Sequence, residues 1–230
     1  MKHLFSVVAC FWLLALSGEA GNIRGIVKAE GKATTGSTAS GQYDSRKYKF
    51  VEKVNYEELR DFVVYIAGTV TNTTVGTNLS AVVDTRRVNQ ERANFSPHVL
   101  PVMAGTTVEW PNNDEIFHNV FSMSDAKSFD LGLYKGNPKE KAITFDKVGR
   151  AEVFCSIHAN MHCVVLVLEN PYFTVSGTSG AYSITNVPPG TYKLKAWHER
   201  LPIQTQEIVV PAEGEVKVDF VLGIKNLPQY

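Results

Sequence analysis

The sequence predicts an all-β protein of sandwich architecture. Short runs of β-branched and aromatic residues recur along the chain, and Gly, Pro, Asn and Asp punctuate them. Only Tyr56 to Phe62 could form a helical turn. Many short strands with turn signals between them bury their apolar faces most readily in packed sheets.

The first twenty residues read as an export signal. Lys2 and His3 make a short polar start, and Leu4 to Leu16 is almost wholly apolar. Ser17-Gly18-Glu19-Ala20 then puts small residues where a signal peptidase inspects the chain, so cleavage is expected after Ala20. The apolar run falls short of the ~20 residues that span a bilayer, so no transmembrane segment is expected in the mature chain. Val7-Val8-Ala9-Cys10 loosely matches a lipid-attachment box, but a cut there would fall within the apolar run. Export to the periplasm is the expectation.

Three regions follow. Residues 21–78 contain a strand at Ile23 to Lys28, a polar stretch at Gly31 to Gly41 and a second apolar strand at Val63 to Ile66. The polar stretch reads as a long surface loop. Residues 79–170 carry strands at Thr106 to Trp110, Ala151 to Cys155 and Val164 to Leu168. Residues 171–230 alternate: Tyr182 and Ile184, a turn at Val187-Pro188-Pro189-Gly190, then Tyr192, Leu194 and Ala196. Ile208, Val210, Val216, Val218 and Phe220 repeat the pattern, which makes this region a small antiparallel β module. The two N-terminal strands could join either module.

Lys and Arg total 23 and Asp and Glu total 23. No net field recruits nucleic acid or an anionic membrane. There is no P-loop, dinucleotide fingerprint or basic stripe, and nucleic-acid binding is not expected. Cys10 would leave with the signal, so the mature chain keeps Cys155 and Cys163. Two cysteines in an exported protein suggest a disulfide, and these flank one loop at its strand ends. The other reading makes Cys155 a metal thiolate and Cys163 a buried, unreactive thiol.

The densest chemistry lies in Phe154-Cys155-Ser156-Ile157-His158-Ala159-Asn160-Met161. A tight loop between two strands can turn a thiol, an imidazole and a thioether toward one point. Thiolate, imidazole and a weak thioether together suit copper, and two histidines, one cysteine and a long axial methionine describe a blue electron-transfer site. The second histidine must come from elsewhere, and His118 is the best candidate, in Trp110-Pro111-Asn112-Asn113-Asp114-Glu115-Ile116-Phe117-His118-Asn119-Val120.

Phe95 to Glu169 resembles the cupredoxins, and its ligand-loop spacing is similar to that of the amicyanins. Pro97, Leu100, Val102, Gly105, Val108 and Trp110 fit the approach to the first ligand, and Gly149 to Cys155 fits the strand that feeds the thiolate. The mature chain also resembles exported proteins labelled methylamine-utilisation or cupredoxin-like. These carry Phe-x-Pro-His-Val, a Leu-Gly-Leu-Tyr segment (Leu131 to Tyr134) and a Pro-Tyr-Phe leading into a carboxypeptidase-regulatory-like module. The resemblance implies a cupredoxin Greek-key sandwich at 79–170 and a smaller transthyretin- or carboxypeptidase-regulatory-like module at 171–230. It implies one type 1 copper ion, with His118, Cys155 and His158 in the trigonal plane and Met161 axial. His158, on the loop, would be the exposed imidazole through which electrons pass. Asn119 would tie the two ligand strands together through a backbone contact near Ser156.

Each residue also has a plainer reading. Met161 could be core filler. His162 is expected to point away from its neighbour's side as a surface histidine. His98, in Phe95-Ser96-Pro97-His98-Val99, is either a possible extra site residue or structural. His198 carries a weaker signal. Asp114 and Glu115, beside His118, could mark a harder metal site; the simpler reading is a solvated turn, with Asn113-Asp114 making local backbone bonds. No enzyme machinery accompanies the loop: Ser156 has no acid partner, and cleavage before Gly21 disfavours an N-terminal histidine brace. The expected function is one-electron transfer with a protein redox partner. Two alternatives stay open: copper binding for delivery, and a structural or adhesion protein with a degenerate copper site.

Overall fold

The computed structural model describes residues 20–31, 55–70, 85–136 and 141–223. The export signal before Ala20, including Cys10, and nearly all of the Gly31 to Gly41 stretch lie outside the described residues. The strands run β1 (Gly21–Ala29), β2 (Val63–Ala67), β3 (Thr85–Arg87), β4 (Asn89–Glu91), β5 (Asn94–Ser96) and β6 (Val99–Met103). They continue as β7 (Thr106–Glu109), β8 (His118–Ser124), β9 (Lys127–Tyr134), β10 (Ala142–Phe145), β11 (Gly149–Phe154) and β12 (His162–Leu168). The last six are β13 (Phe173–Val175), β14 (Ala181–Val187), β15 (Gly190–His198), β16 (Leu201–Val210), β17 (Glu215–Lys217) and β18 (Phe220–Leu222). The expected helical turn is a single 3₁₀ turn, Tyr56–Glu58, capped by Asn55, whose Oδ1 accepts from Glu57 N at 3.3 Å.

A central sandwich packs the sheet β6-β12-β11-β8-β9 on the sheet β10-β7-β3. Val108, Trp110, Val120, Phe145, Val153 and Val165 fill the space between them, together with Cys155, Met161 and Cys163. Alternation along each strand sends every second side chain into this core. Between β6 and β7 the chain reverses through Gly105, whose φ of +92° lies where a side chain is strained.

The flanking sandwich pairs β1 with β14, β17 and β18 in one sheet and orders β13-β2-β15-β16 in the other. Both N-terminal strands therefore pair with strands from the C-terminal third. Ile23, Val27, Val64, Ile66, Ile184, Leu194 and Phe220 form its core. Gly25 sits where the backbone of Val218 crosses β1, since a Cβ there would meet the Val218 carbonyl oxygen at 1.7 Å.

Strand β12 joins the two sandwiches. Cys163, Val165 and Val167 point into the central core, while Val164, Leu166 and Leu168 pack with Val63, Val99 and Trp197 in a junction cluster. A strand buried on both faces needs an unbroken apolar run, and Cys163-Val164-Val165-Leu166-Val167-Leu168 is one. Strand β2 does the reverse: Val63 faces the junction, and Val64 and Ile66 face the flanking core. Among the described residues, no helix is long and apolar enough to cross a membrane.

Candidate metal centre

The loop from Cys155 to Met161 is closed on itself. Cys155 N donates to Met161 O at 3.1 Å, and Met161 N donates to His158 O at 3.0 Å. These bonds extend the β11–β12 ladder by one pair and fold the rest of the loop over it. Strand β8 lies beside β11 through the pairing of Phe154 with Phe121, which brings His118 to the loop. The Asn119 N–H, next to His118, donates to Cys155 Sγ at 3.5 Å and aims the sulfur at the imidazoles.

The ligand-capable atoms of His118, Cys155 and His158 lie within 4.8 Å of one another. His118 Nδ1 is 3.0 Å from His158 Nδ1, and Cys155 Sγ is 3.6 Å from His158 Nδ1. His118 is fully buried and His158 only partly so, in keeping with an outward-facing loop imidazole. Met161 is fully buried and packs in the same core as Cys155. Both cysteines are free, and burial pushes the Cys163 thiol well above its ordinary pKa. The disulfide alternative gives way to separate thiols on the same strand pair.

Asp114 departs from its expected role. Its carboxylate accepts from Arg92 N at 2.7 Å and Ala93 N at 2.9 Å, and Oδ2 lies 2.8 Å from His118 Nε2. It is thus a clamp between the β4–β5 turn and the buried imidazole, and only its own N–H, bonded to Asn112 Oδ1, is local. Those bonds hold the carboxyl below its usual range, the Ala93 N–H most of all. An ionised Asp114 accepts from His118 Nε2, and in the neutral imidazole this tautomer turns the Nδ1 lone pair toward His158. Two imidazole nitrogens at 3.0 Å need a proton or a cation between them. Beneath, Gln90 Nε2 donates to Trp110 O and to Tyr134 Oη, and Asn112 Nδ2 donates to Ile116 O and Tyr134 O. This buried network fixes the segment that carries Asp114. Gln90 and Asp114 had no sequence signal beyond the four-residue spacing of Asp114 from His118.

The Asn119 side chain donates to Asp130 Oδ1 at 2.6 Å and ties β8 to β9, while its backbone N–H makes the bond to the loop, at Cys155 beside the exposed Ser156. His162 points away from the donor cluster as expected, but it is partly buried and its Nε2 lies 2.5 Å from Glu152 Oε2. His98 stands apart from His118 and Cys155, with Nε2 2.9 Å from Glu199 Oε1. His198 is buried against Phe62 at a ring separation of 4.9 Å and accepts from Arg200 N, a structural role.

Residues 82–168 match the family profile of copper-binding proteins of the plastocyanin/azurin family. Over these residues, which make up the central sandwich, the chain is cupredoxin-like. Residues 164–218 match a second profile, described as polysaccharide lyase family 4, domain II. The two matches overlap on β12, the strand buried from both sides. Among solved structures, amicyanin from Paracoccus versutus is similar at 27% identity over 39% of this chain and 86% of its own, with a TM-score of 0.33. A purple cupredoxin from Nitrosopumilus maritimus is similar at 23% identity over 36% of this chain and 98% of its own, with a TM-score of 0.31. A copper-containing nitrite reductase from Thermus scotoductus SA-01 is similar at 26% identity over 37% of this chain, with a TM-score of 0.35. This chain covers 23% of that enzyme's length. A search of curated proteins returned no match.

The donor set of the central sandwich fits copper. Two imidazoles and a thiol converge, and a buried thioether closes the same loop. The exposed side chains of Ile116, Phe117, Leu133 and Ile157 lie next to these residues in sequence or across β8–β9 and give the outer end of the cluster an apolar rim.

Proposed function

We propose that this chain is an exported type 1 copper protein that carries single electrons to or from a protein redox partner. His118, Cys155 and His158 would hold the ion, with the buried thioether of Met161 as a further, weaker donor. The observation that carries the reading is the facing of His118 Nδ1 and His158 Nδ1 at 3.0 Å beside the Cys155 sulfur, with His118 Nε2 committed to Asp114. Copper in such a site supplies the one-electron couple.

The chain's own residues keep the ligands still. Asp114 sets the His118 tautomer, the Asn119 N–H bonds the thiol sulfur, and the two backbone bonds across the loop fix Cys155 against Met161. A site that cannot relax holds nearly one geometry in both oxidation states, which favours rapid exchange of an electron. Partly exposed His158, within its apolar rim, offers a partner the shortest way in. The exposed Ile116, Phe117 and Ile157 side chains offer a partner apolar contact, with the Lys135 ammonium over the Phe117 ring.

The test is to add Cu(II) to the chain from Gly21 onward and record visible absorption, with Cys155→Ser as control. An intense thiolate-to-copper band that the control lacks supports the reading. Repeated reduction and reoxidation without loss of the ion supports carriage of electrons, whereas loss of Cu(I) on each cycle supports delivery. A chain that stays metal-free in excess copper overturns both.

A further inference from the structure

The structure brings a second set of metal-capable side chains together on the other side of His162. The ligand-capable atoms of His98, His162 and Glu199 lie within 4.8 Å of one another. His98 Nε2 is 2.9 Å from Glu199 Oε1, the two imidazole rings are 5.4 Å apart between centroids, and His162 Nε2 is 2.5 Å from Glu152 Oε2. Two imidazoles thus meet two carboxylates in a partly buried cluster.

The surroundings are built as a support for these donors. His98 O accepts from Val164 N at 2.8 Å, which pins the residue to β12 just before β6 begins. Glu199 sits in the turn between β15 and β16, and its carbonyl accepts from Arg150 at 3.3 Å. Arg150 also pairs with Glu152 and lies over the Trp197 ring, 5.6 Å from its centroid. Phe154 stacks on His162 with centroids 4.8 Å apart. His98 Nδ1 lies 3.2 Å from the His162 carbonyl, so it must carry a proton there. A histidine that donates one ring N–H to a carbonyl and turns its other nitrogen toward a carboxylate has the orientation of a metal ligand with its outer bond in place. Without a cation, His98 needs a second proton to reach Glu199. A cation can take that proton's place.

We propose that His98, His162 and Glu199 bind a divalent transition-metal cation, with Glu152 beside His162 as an additional oxygen donor. Two imidazole nitrogens and carboxylate oxygen suit zinc and its borderline neighbours, and do not suit calcium or magnesium. Glu199 comes from the flanking sandwich, and the other three from the central one. The ion would therefore lock the two sandwiches together at the edge of their apolar junction. It would also bear on the residue that follows Met161, so its occupancy would be felt at the end of the copper loop. The site shares no donor with the His118–Cys155–His158 cluster, and the proposal stands whether or not that cluster takes copper.

The probe is Zn(II), titrated by calorimetry into the chain from Gly21 onward and into three single variants. Cys155→Ser removes the thiol of the first cluster, and His98→Gln and Glu199→Gln each remove one donor of the second. We expect one equivalent of Zn(II) that persists in Cys155→Ser and binds about 100-fold more weakly in His98→Gln and in Glu199→Gln. Zn(II) should also raise the thermal midpoint of Cys155→Ser and leave that of the double variant Cys155→Ser/Glu199→Gln nearly unmoved, a readout that loss of an ion pair alone would not produce. An equivalent lost in Cys155→Ser but kept in the other two belongs to the first cluster and overturns the proposal. No binding at all reduces the cluster to hydrogen-bonded pairs and overturns it as well. Failure of the copper reading would show separately, as absence of the thiolate band.

Discussion

Replacing Asp114 tests how the buried imidazole is held. Three donors converge on its carboxylate: Arg92 N at 2.7 Å to Oδ1, and Ala93 N at 2.9 Å and His118 Nε2 at 2.8 Å to Oδ2. Asparagine has one oxygen for them. Its best orientation keeps that oxygen on Ala93 and His118 and turns the amide toward Arg92 N, which water can reach. Asp114→Asn should then keep the imidazole in place but lose the charge, and a charge-assisted bond is roughly twice as strong as a neutral one. We expect copper affinity to fall about tenfold, or about 1.4 kcal/mol. Asp114→Ala strands all three donors, including the fully buried imidazole. It should cost about 1–3 kcal/mol of copper-free stability and about 100-fold in copper affinity. Competition against a chelator of known affinity reads the copper affinity and urea unfolding reads the stability. If Asp114→Ala loses stability but holds copper as tightly as the parent, with its absorption band unmoved, Asp114 supports only the turn and the argument for its control of His118 fails.

Trp197→Ala empties the junction between the sandwiches, where Trp197 packs on Val63, Val99 and Leu166. It should cost about 3–5 kcal/mol, read as a lower urea midpoint, and a single transition splitting in two would show that the junction couples the sandwiches. Cys163 is buried and its thiol pKa is raised, so in Cys155→Ser it should resist iodoacetamide until denaturant is added. Rapid labelling of the folded chain would contradict its burial. Asp219 accepts from Ile26 N at 2.8 Å, and that bond holds its pKa below the usual carboxylate value. A depressed folded pKa adds stability that is complete above the unfolded pKa near 4 and disappears as pH falls through the folded one. Asp219→Asn should therefore flatten the acid limb of the stability profile and change neutral stability in the direction of loss. An unchanged acid limb would remove Asp219 from that account.

Connectivity explains what could be read in the chain directly. The unbroken apolar run after His162 signals a strand buried on both faces, and Cys155, His158 and Met161 are neighbours because a loop of this length between paired strands has few ways to close. His118 stands out because a turn and a strand frame it. Local spacing carries all of this. The sequence by itself therefore determined the all-β class, the strand positions and the donors on one loop. Tertiary structure alone decided what holds and surrounds them. Asp114 bonds the β4–β5 turn, Asn119 bonds Asp130, β1 and β2 join the C-terminal strands, and His98 meets Glu199 across the junction. The physical reason is that hydrogen bonds and ion pairs between segments far apart in the chain depend on how the sheets pack, and sheet packing is set by the summed burial of many side chains, which leaves no periodic mark at the polar residues it brings together.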